Sequence, residues 1–301
     1  MKSAMKSVLK TENNNIILYH EYALIENEYG NFDSAINILS TVIETYSNGK
    51  GINEVFNEDV KTSLCSVYRG IVQLCLEKND KKHSELALQY LLEMVLGKSV
   101  LKSTTNALPE AKLKFKHVSL LLLQNKQPFT SVVQHYLPNL LTDWIICHGW
   151  FLYLTEGVIE CGKFVEQTLS TLDENDLEKT WEKEVIFEFY SCVLFKSCVD
   201  EPHLGLFNLL RDTLHRAIED YPNNLLLLLI LAKEQSLSCV IDTSFYKLKR
   251  LLMKTGHVLP CLFLIFIVNQ RLSYMKRNWI DTHTRKYFGV HIFDCLIRII
   301  F

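Results

Sequence analysis

Apolar residues recur along this chain at helical spacing, and the clearest instance lies near its start. Between Asn15 and Glu28, the positions Ile16, Tyr19, Tyr22, Ala23 and Glu26 mark one side of a helix at steps of three and four. Gly30 and Asn31 follow as a turn, because glycine accepts the left-handed backbone that ends a helix. Ala35, Ile36, Leu39, Val42 and Ile43 then define a second helix, with Asp33 placed as its cap. Together they predict a helical hairpin of roughly 34 residues, the size of a tetratricopeptide-like unit.

The same pattern returns downstream. Leu64–Leu76 and His83–Leu96 predict a second pair around the polar run Lys78-Asn79-Asp80-Lys81-Lys82. Leu113–Gln124 pairs with Phe129–Leu137, and Trp144–Tyr153 pairs with Val158–Leu169 around Thr155-Glu156-Gly157. Trp181–Phe195 with Leu206–Asp220, and Leu225–Gln235 with Phe245–Lys254, continue the series. Almost nothing alternates as a strand does. Breaks are expected at Ser47–Asn57, Lys98–Ala111, Asp173–Lys179 and Asp200–His203, each too short to separate independent domains. The expected architecture is therefore all-α: one α-α superhelix, a solenoid of helical hairpins over residues 1–278. A kink is expected near 98–111, where Leu108-Pro109-Glu110 closes a linker, and 279–301 reads as an atypical C-terminal tail.

Composition narrows the class. Of 301 residues, 48% are hydrophobic and 22% charged, with 11 Gly and 6 Pro, which suits a folded chain of long helices. Nine scattered cysteines form no C-x-x-C pair and no zinc spacing, so reduced thiols of the cell interior are expected. The apolar runs Leu225–Ala232 and Val258–Val268 fall short of the roughly 20 residues a membrane span needs and read as buried helices.

No phosphate loop, nucleophile elbow or zinc-protease helix is present, and no two histidines stand three or four apart. Cys147 and His148 are neighbours that point about 100° apart on a helix, so core packing is expected there. Glu178, Glu182 and Glu184 among Lys179 and Lys183 read as a solvated helix face. No catalytic residue, cofactor or metal site is expected, and the chain reads as a protein that holds partners, not an enzyme. Residues from Glu12 to Asp59 are acidic, whereas those from Lys247 onward are basic. Lys247, Arg250 and Lys254 share one side of a predicted helix, a candidate contact for an acidic partner or for phosphate.

Several hairpins resemble half-a-tetratricopeptide (HAT) repeats. That motif places an aromatic, a second aromatic three residues on and a Glu four beyond, here Tyr19, Tyr22 and Glu26. Its second helix carries a small residue, as at Ala35, and ends in Arg-Ala-Leu/Ile followed by Pro, as at Arg216-Ala217-Ile218 and Tyr221-Pro222. Residues 6–44 more closely resemble the helical-repeat region of the nuclear RNAi defective-2 family. The stretches ILYHEYALIENEYGNFDSAINIL, WFLYLTEGVIE and LHRAIEDYPNN carry the resemblance, in patches over residues 6–235. It implies a nuclear, non-catalytic factor of RNA surveillance and small-RNA-directed silencing. It also implies partners among splicing factors and the exosome-associated RNA helicase. The family's long charged N-terminal region, which holds the helicase contact, is lacking here, so that contact is not carried over. Direct RNA binding is left open. The tail from about Trp279 does not continue the repeat, which suggests a truncated or alternative form. The generic motif equally fits adaptors of pre-mRNA splicing or 3′-end processing, such as crooked-neck proteins.

Overall fold

The computed structural model describes residues 2–12, 14–98, 106–124, 137–175 and 181–238. Among these residues the protein is all-α, with eleven α-helices, one short 3-10 turn and no strand. No described helix is long and apolar enough to cross a membrane. The chain divides into two units, Met1–Phe189 and Tyr190–Phe301.

The first unit opens with α1 (Lys2–Thr11), where the sequence pattern predicts no element, and continues with the hairpin α2 (Ile16–Glu28) and α3 (Phe32–Ser47). Asn15 starts α2 by accepting from the backbone N–H of Ile17 and Leu18 at 3.1 and 3.3 Å. Gly30 turns the chain at φ +81°. The cap of α3 is Asn31, not Asp33, which lies inside the first turn where its charge suits the positive end of the helix.

Next come α4 (Glu58–Glu77) and α5 (Lys81–Leu96), begun by Asn57 and Asp80, whose side chains accept from N–H groups of the first turn. Ahead of α4, a 3-10 turn at Ile52–Glu54 buries Ile52 completely. Helix α4 is central: it packs on α2, α3 and α5 and on the helix Leu140–Glu156. Leu64, Cys65, Val67, Tyr68, Ile71, Val72, Leu74 and Cys75 are accordingly buried around most of its circumference.

Two glycines join the end of α5 to the loop before α4. A Cβ on Gly97 would stand 2.7 Å from the Gly51 nitrogen and 2.8 Å from the Gly49 carbonyl oxygen, and its φ is +80°. Backbone cannot step aside as a side chain can. Gly97→Ala is expected to cost roughly 2 kcal/mol in thermal or urea unfolding, and an unchanged midpoint would contradict this junction.

Helix α6 (Ala107–Gln124) begins earlier than its apolar pattern implies. Leu108-Pro109-Glu110 is its first turn, where proline's missing N–H is no loss, rather than the end of a linker. It is followed by α7 (Leu140–Glu156) and α8 (Val158–Asn175), an adjacent pair turned at Gly157. Every residue of α7 from Leu141 to Leu152 is buried, as expected of a helix packed on α4, α5, α6 and α8. The expected helix at Phe129–Leu137 lies almost wholly outside the described residues.

Helix α9 (Trp181–Asp200) contains the boundary between the units. In the second unit, α10 (Leu204–Asp220) packs on α11 (Leu225–Ser238). Leu210, Leu214, Ala217 and Ile218 of α10, and Leu227, Leu228 and Leu231 of α11, are buried. Arg211 Nη2 donates to Glu234 Oε1 at 2.6 Å between them. The helix expected at Phe245–Lys254 and the tail 279–301 lie outside the described residues.

Candidate functional site

The repeat-motif residues of α2 meet at the mouth of its hairpin. Glu26 is 5% exposed, and its two carboxylate oxygens are held separately. Tyr22 donates its hydroxyl to Oε1 at 2.6 Å, and the Asn31 side-chain amide donates to Oε2 at 2.7 Å. The Glu26 carbonyl also accepts from the Asn31 backbone N–H at 3.0 Å. The carboxylate thus ties the end of α2 to the start of α3, and pushes the Tyr22 hydroxyl up to about 12 so that it remains a donor. Ala35 is fully buried, Tyr19 half-buried. In the second unit Ala217 is buried and Arg216 exposed, while Tyr221 ends α10 just ahead of half-buried Pro222. Of these positions, Tyr22 and Glu26 take part in the contact between α2 and the start of α3, and Ala35 and Ala217 are buried. Lys247, Arg250 and Lys254 lie outside the described residues.

Thr142, Asp143 and His148 are buried polar residues of α7, and each has at least one polar partner. Asn139 Oδ1 accepts from the Thr142 N–H at 3.1 Å, capping the helix. Asp143 Oδ1 accepts from Arg69 Nη1 of α4 at 2.8 Å. Burial nonetheless raises the Asp143 carboxyl above its ordinary value, opposed by Arg69. Its second oxygen is buried without a hydrogen-bond partner. The pair borders a small cleft of about 130 Å3 that is also lined by His20, Glu21, Ser63 and Ser66.

His148 Nδ1 lies 2.9 Å from Ser119 Oγ, both buried. Its ring stacks on Phe115 at 5.2 Å and sits 4.1 Å from the Phe164 ring centre. Desolvation, with Lys112 adding to it, pushes His148 down to about 3. A histidine held neutral in the fold but free to protonate when unfolded makes stability fall as pH drops below about 6.5. His148→Gln should flatten that part of the stability profile measured between pH 7 and 5. The wild-type slope persisting in the variant would assign the effect to another group.

Cys147 is buried beside His148, and the Cys65 thiol of α4 meets it. None of the six cysteines among the described residues is joined in a disulfide. Burial raises Cys65 well above its ordinary value and takes Cys75 and Cys161 to about 12, which leaves them protonated and poor nucleophiles. Among the described residues no three His, Cys, Asp or Glu side chains gather as a metal site. The expected solvated face at the start of α9 is not one: Glu182 is 1% and Lys183 7% exposed, and Glu184 is half-buried. Glu178 and Lys179 lie outside the described residues.

The surface feature that the sequence reading missed lies on α6. Its inner side buries Ala111, Phe115, Ser119 and Leu123, at steps of four. Its outer side leaves Leu113, Leu120 and Leu121 exposed at 70%, 46% and 42%. A groove of about 670 Å3 runs along this helix, walled by Val95 of α5 and by Val118, Leu121 and Leu122, with Asn53, Glu54 and Lys61 opposite. The signal was present in the sequence: Leu113, Leu120 and Leu121 lie seven and eight apart, off the inner stripe.

Compared with protein-family models, with curated proteins and with solved structures, the chain matches none.

Proposed function

We propose that this chain is a non-catalytic helical-repeat scaffold of the nucleus, holding protein partners in RNA surveillance and small-RNA-directed silencing. Its helix pairs would stack as a solenoid, each hairpin burying a face that it cannot bury alone. The observation that carries the reading is the Glu26 carboxylate held by Tyr22 and Asn31, with Ala35 buried on the facing helix. Tyr22, Glu26 and Ala35, among the residues on which the resemblance to the nuclear RNAi defective-2 family rests, would then serve the packing of the hairpin. Surface between hairpins is left for partners. The buried, protonated thiols and the neutral, ring-packed His148 point the same way.

Affinity purification of the tagged chain from nuclear extract tests the proposal. Co-purification of silencing and RNA-surveillance factors is the expected result. Recovery of spliceosomal or cleavage factors in their place would move the chain to the adaptors of splicing or 3′-end processing.

A further inference from the structure

We infer that the cleft between α2, α4 and the start of α7 receives a lysine side chain of a protein partner. The inference rests on the reading of the chain as a partner-holding protein and adds the place and the chemistry recognised there.

The cleft lies within the first unit and encloses about 130 Å3. At roughly 30 Å3 of liquid per water, that is room for about four waters. It suits one side chain, not a helix. Small residues of α4 border it: Ser63 and Ser66 stand three apart on one face, and Arg69 continues the row. His20 of α2 lies against the same helix at Gly70, where a Cβ would collide with Nε2. Several of the lining polar groups are unspent by the fold. The half-buried Ser63 and Ser66 hydroxyls have no hydrogen-bond partner among the described residues. The Asp143 side chain, 3% exposed, accepts from Arg69 at Oδ1 and has no partner at Oδ2. Polar groups so placed usually find partners, and a ligand can supply them here.

Charge, counted over every ionisable side chain of the lining, selects the ligand. Glu21 and Asp143 are negative and Arg69 positive, with His20 neutral, so one negative charge is left unbalanced. The Arg69 charge is committed to Asp143 at 2.8 Å, whereas Glu21 is 54% exposed beside His20 at 3.2 Å. An incoming ammonium meets Glu21 and the two serine oxygens as acceptors, and Asp143 adds attraction through space. A phosphate or carboxylate would meet the unbalanced negative charge instead. Acceptors spread over two helices suit the compact ammonium better than a planar guanidinium. Ile17, Pro138 and Trp181 supply apolar wall for the four-carbon stem, and an indole face attracts a cation.

Fluorine NMR of the full chain labelled with fluorotryptophan provides the test, the Trp181 signal being identified by its loss in Trp181→Phe. The probes are blocked tripeptides with a central lysine or a central glutamate, and n-butylamine as the bare side-chain chemistry. The lysine peptide should shift the Trp181 signal saturably, and n-butylamine should displace it. The glutamate peptide should bind at least about tenfold more weakly. Ser63→Ala with Ser66→Ala should weaken the lysine peptide about tenfold or more. Its melting temperature should stay the same or rise, because the fold uses neither hydroxyl. Glu21→Gln should weaken binding about threefold or more. No saturable shift, equal binding of the glutamate peptide, or full binding by the folded serine variant would overturn the inference. Capture from nuclear extract separates it from the broader reading. A wild-type chain that captures no partner removes the scaffold, while the peptide result still decides the cleft. A serine variant that captures every wild-type partner removes the cleft as a docking place and leaves the scaffold.

Discussion

Replacing Phe115 by Ala is expected to cost about 4 kcal/mol, the largest effect of any single change considered for this protein. Phe115 is fully buried on α6 and is the ring through which α6 meets α7. It lies 5.3 Å from the Trp144 ring, 5.2 Å from His148 and 5.0 Å from Phe151. Its backbone carbonyl accepts from the Trp144 indole at 3.4 Å. Truncation removes the transfer energy of the ring and leaves a cavity that three large aromatic neighbours, fixed on helices, cannot close. Such a loss is a large share of the 5–15 kcal/mol typical of a folded domain. Phe115→Leu, which keeps most of the volume, should cost about 1.5 kcal/mol and supplies a folded comparison. Urea unfolding followed by tryptophan fluorescence reads both. A cost below about 1 kcal/mol for the Ala variant would mean that the α6–α7 contact is not a packed core.

The second large effect is expected at Arg69. Asp143 is nearly fully buried, and Arg69 gives it its ion pair, while the Arg69 side chain itself keeps 30% of its exposure. The two substitutions are therefore unequal. Arg69→Met strands a carboxylate in the interior and is expected to cost about 3 kcal/mol. Asp143→Asn leaves a guanidinium that can reach water and should cost about 1 kcal/mol. The double variant should recover much of the loss, a coupling that a double-mutant cycle measures. A pH dependence follows. Burial raises the Asp143 carboxyl and Arg69 pulls it down, so removing Arg69 leaves the raising cause unopposed. The folded state then binds a proton more readily than the unfolded state, and stability falls as pH rises from the ordinary carboxylate range toward the raised value. The gap between Arg69→Met and wild type should be smaller at pH 5 than at pH 8. A gap that widens on acidification would show that Asp143 is not the group left stranded.

Much of the helical organisation was legible in the sequence because burial on one side of a helix leaves a period. The hairpins α2–α3, α4–α5 and α7–α8 follow that period to within a few residues at most ends. Where a helix is buried all round, the period disappears. In α7 twelve consecutive residues are buried, and periodicity alone offered no reason to single out Asp143. The physical signal was its chemistry: a carboxylate inside an apolar helix needs a partner, although only the fold could say that Arg69, 74 residues away, supplies it. Local charge misled in the opposite direction at Glu182 and Lys183, because alternating charges look solvated until neighbouring elements cover them. Pro109 misled as well, since a proline breaks a helix interior but is accepted in the first turn. Exposed leucines on α6 carry no periodic signal of their own, because apolar residues on both sides of a helix blur the stripe, and the basic cluster Lys247, Arg250 and Lys254 lies outside the described residues.

A chain that works by holding other proteins should be found in complexes with them. Native mass determination of the tagged chain, isolated from nuclear extract and treated with nuclease, reads this. Discrete complexes heavier than the 35.0 kDa chain are expected, with fixed protein stoichiometry that survives removal of RNA. A 35.0 kDa monomer, or assemblies that disperse once RNA is digested, would contradict it.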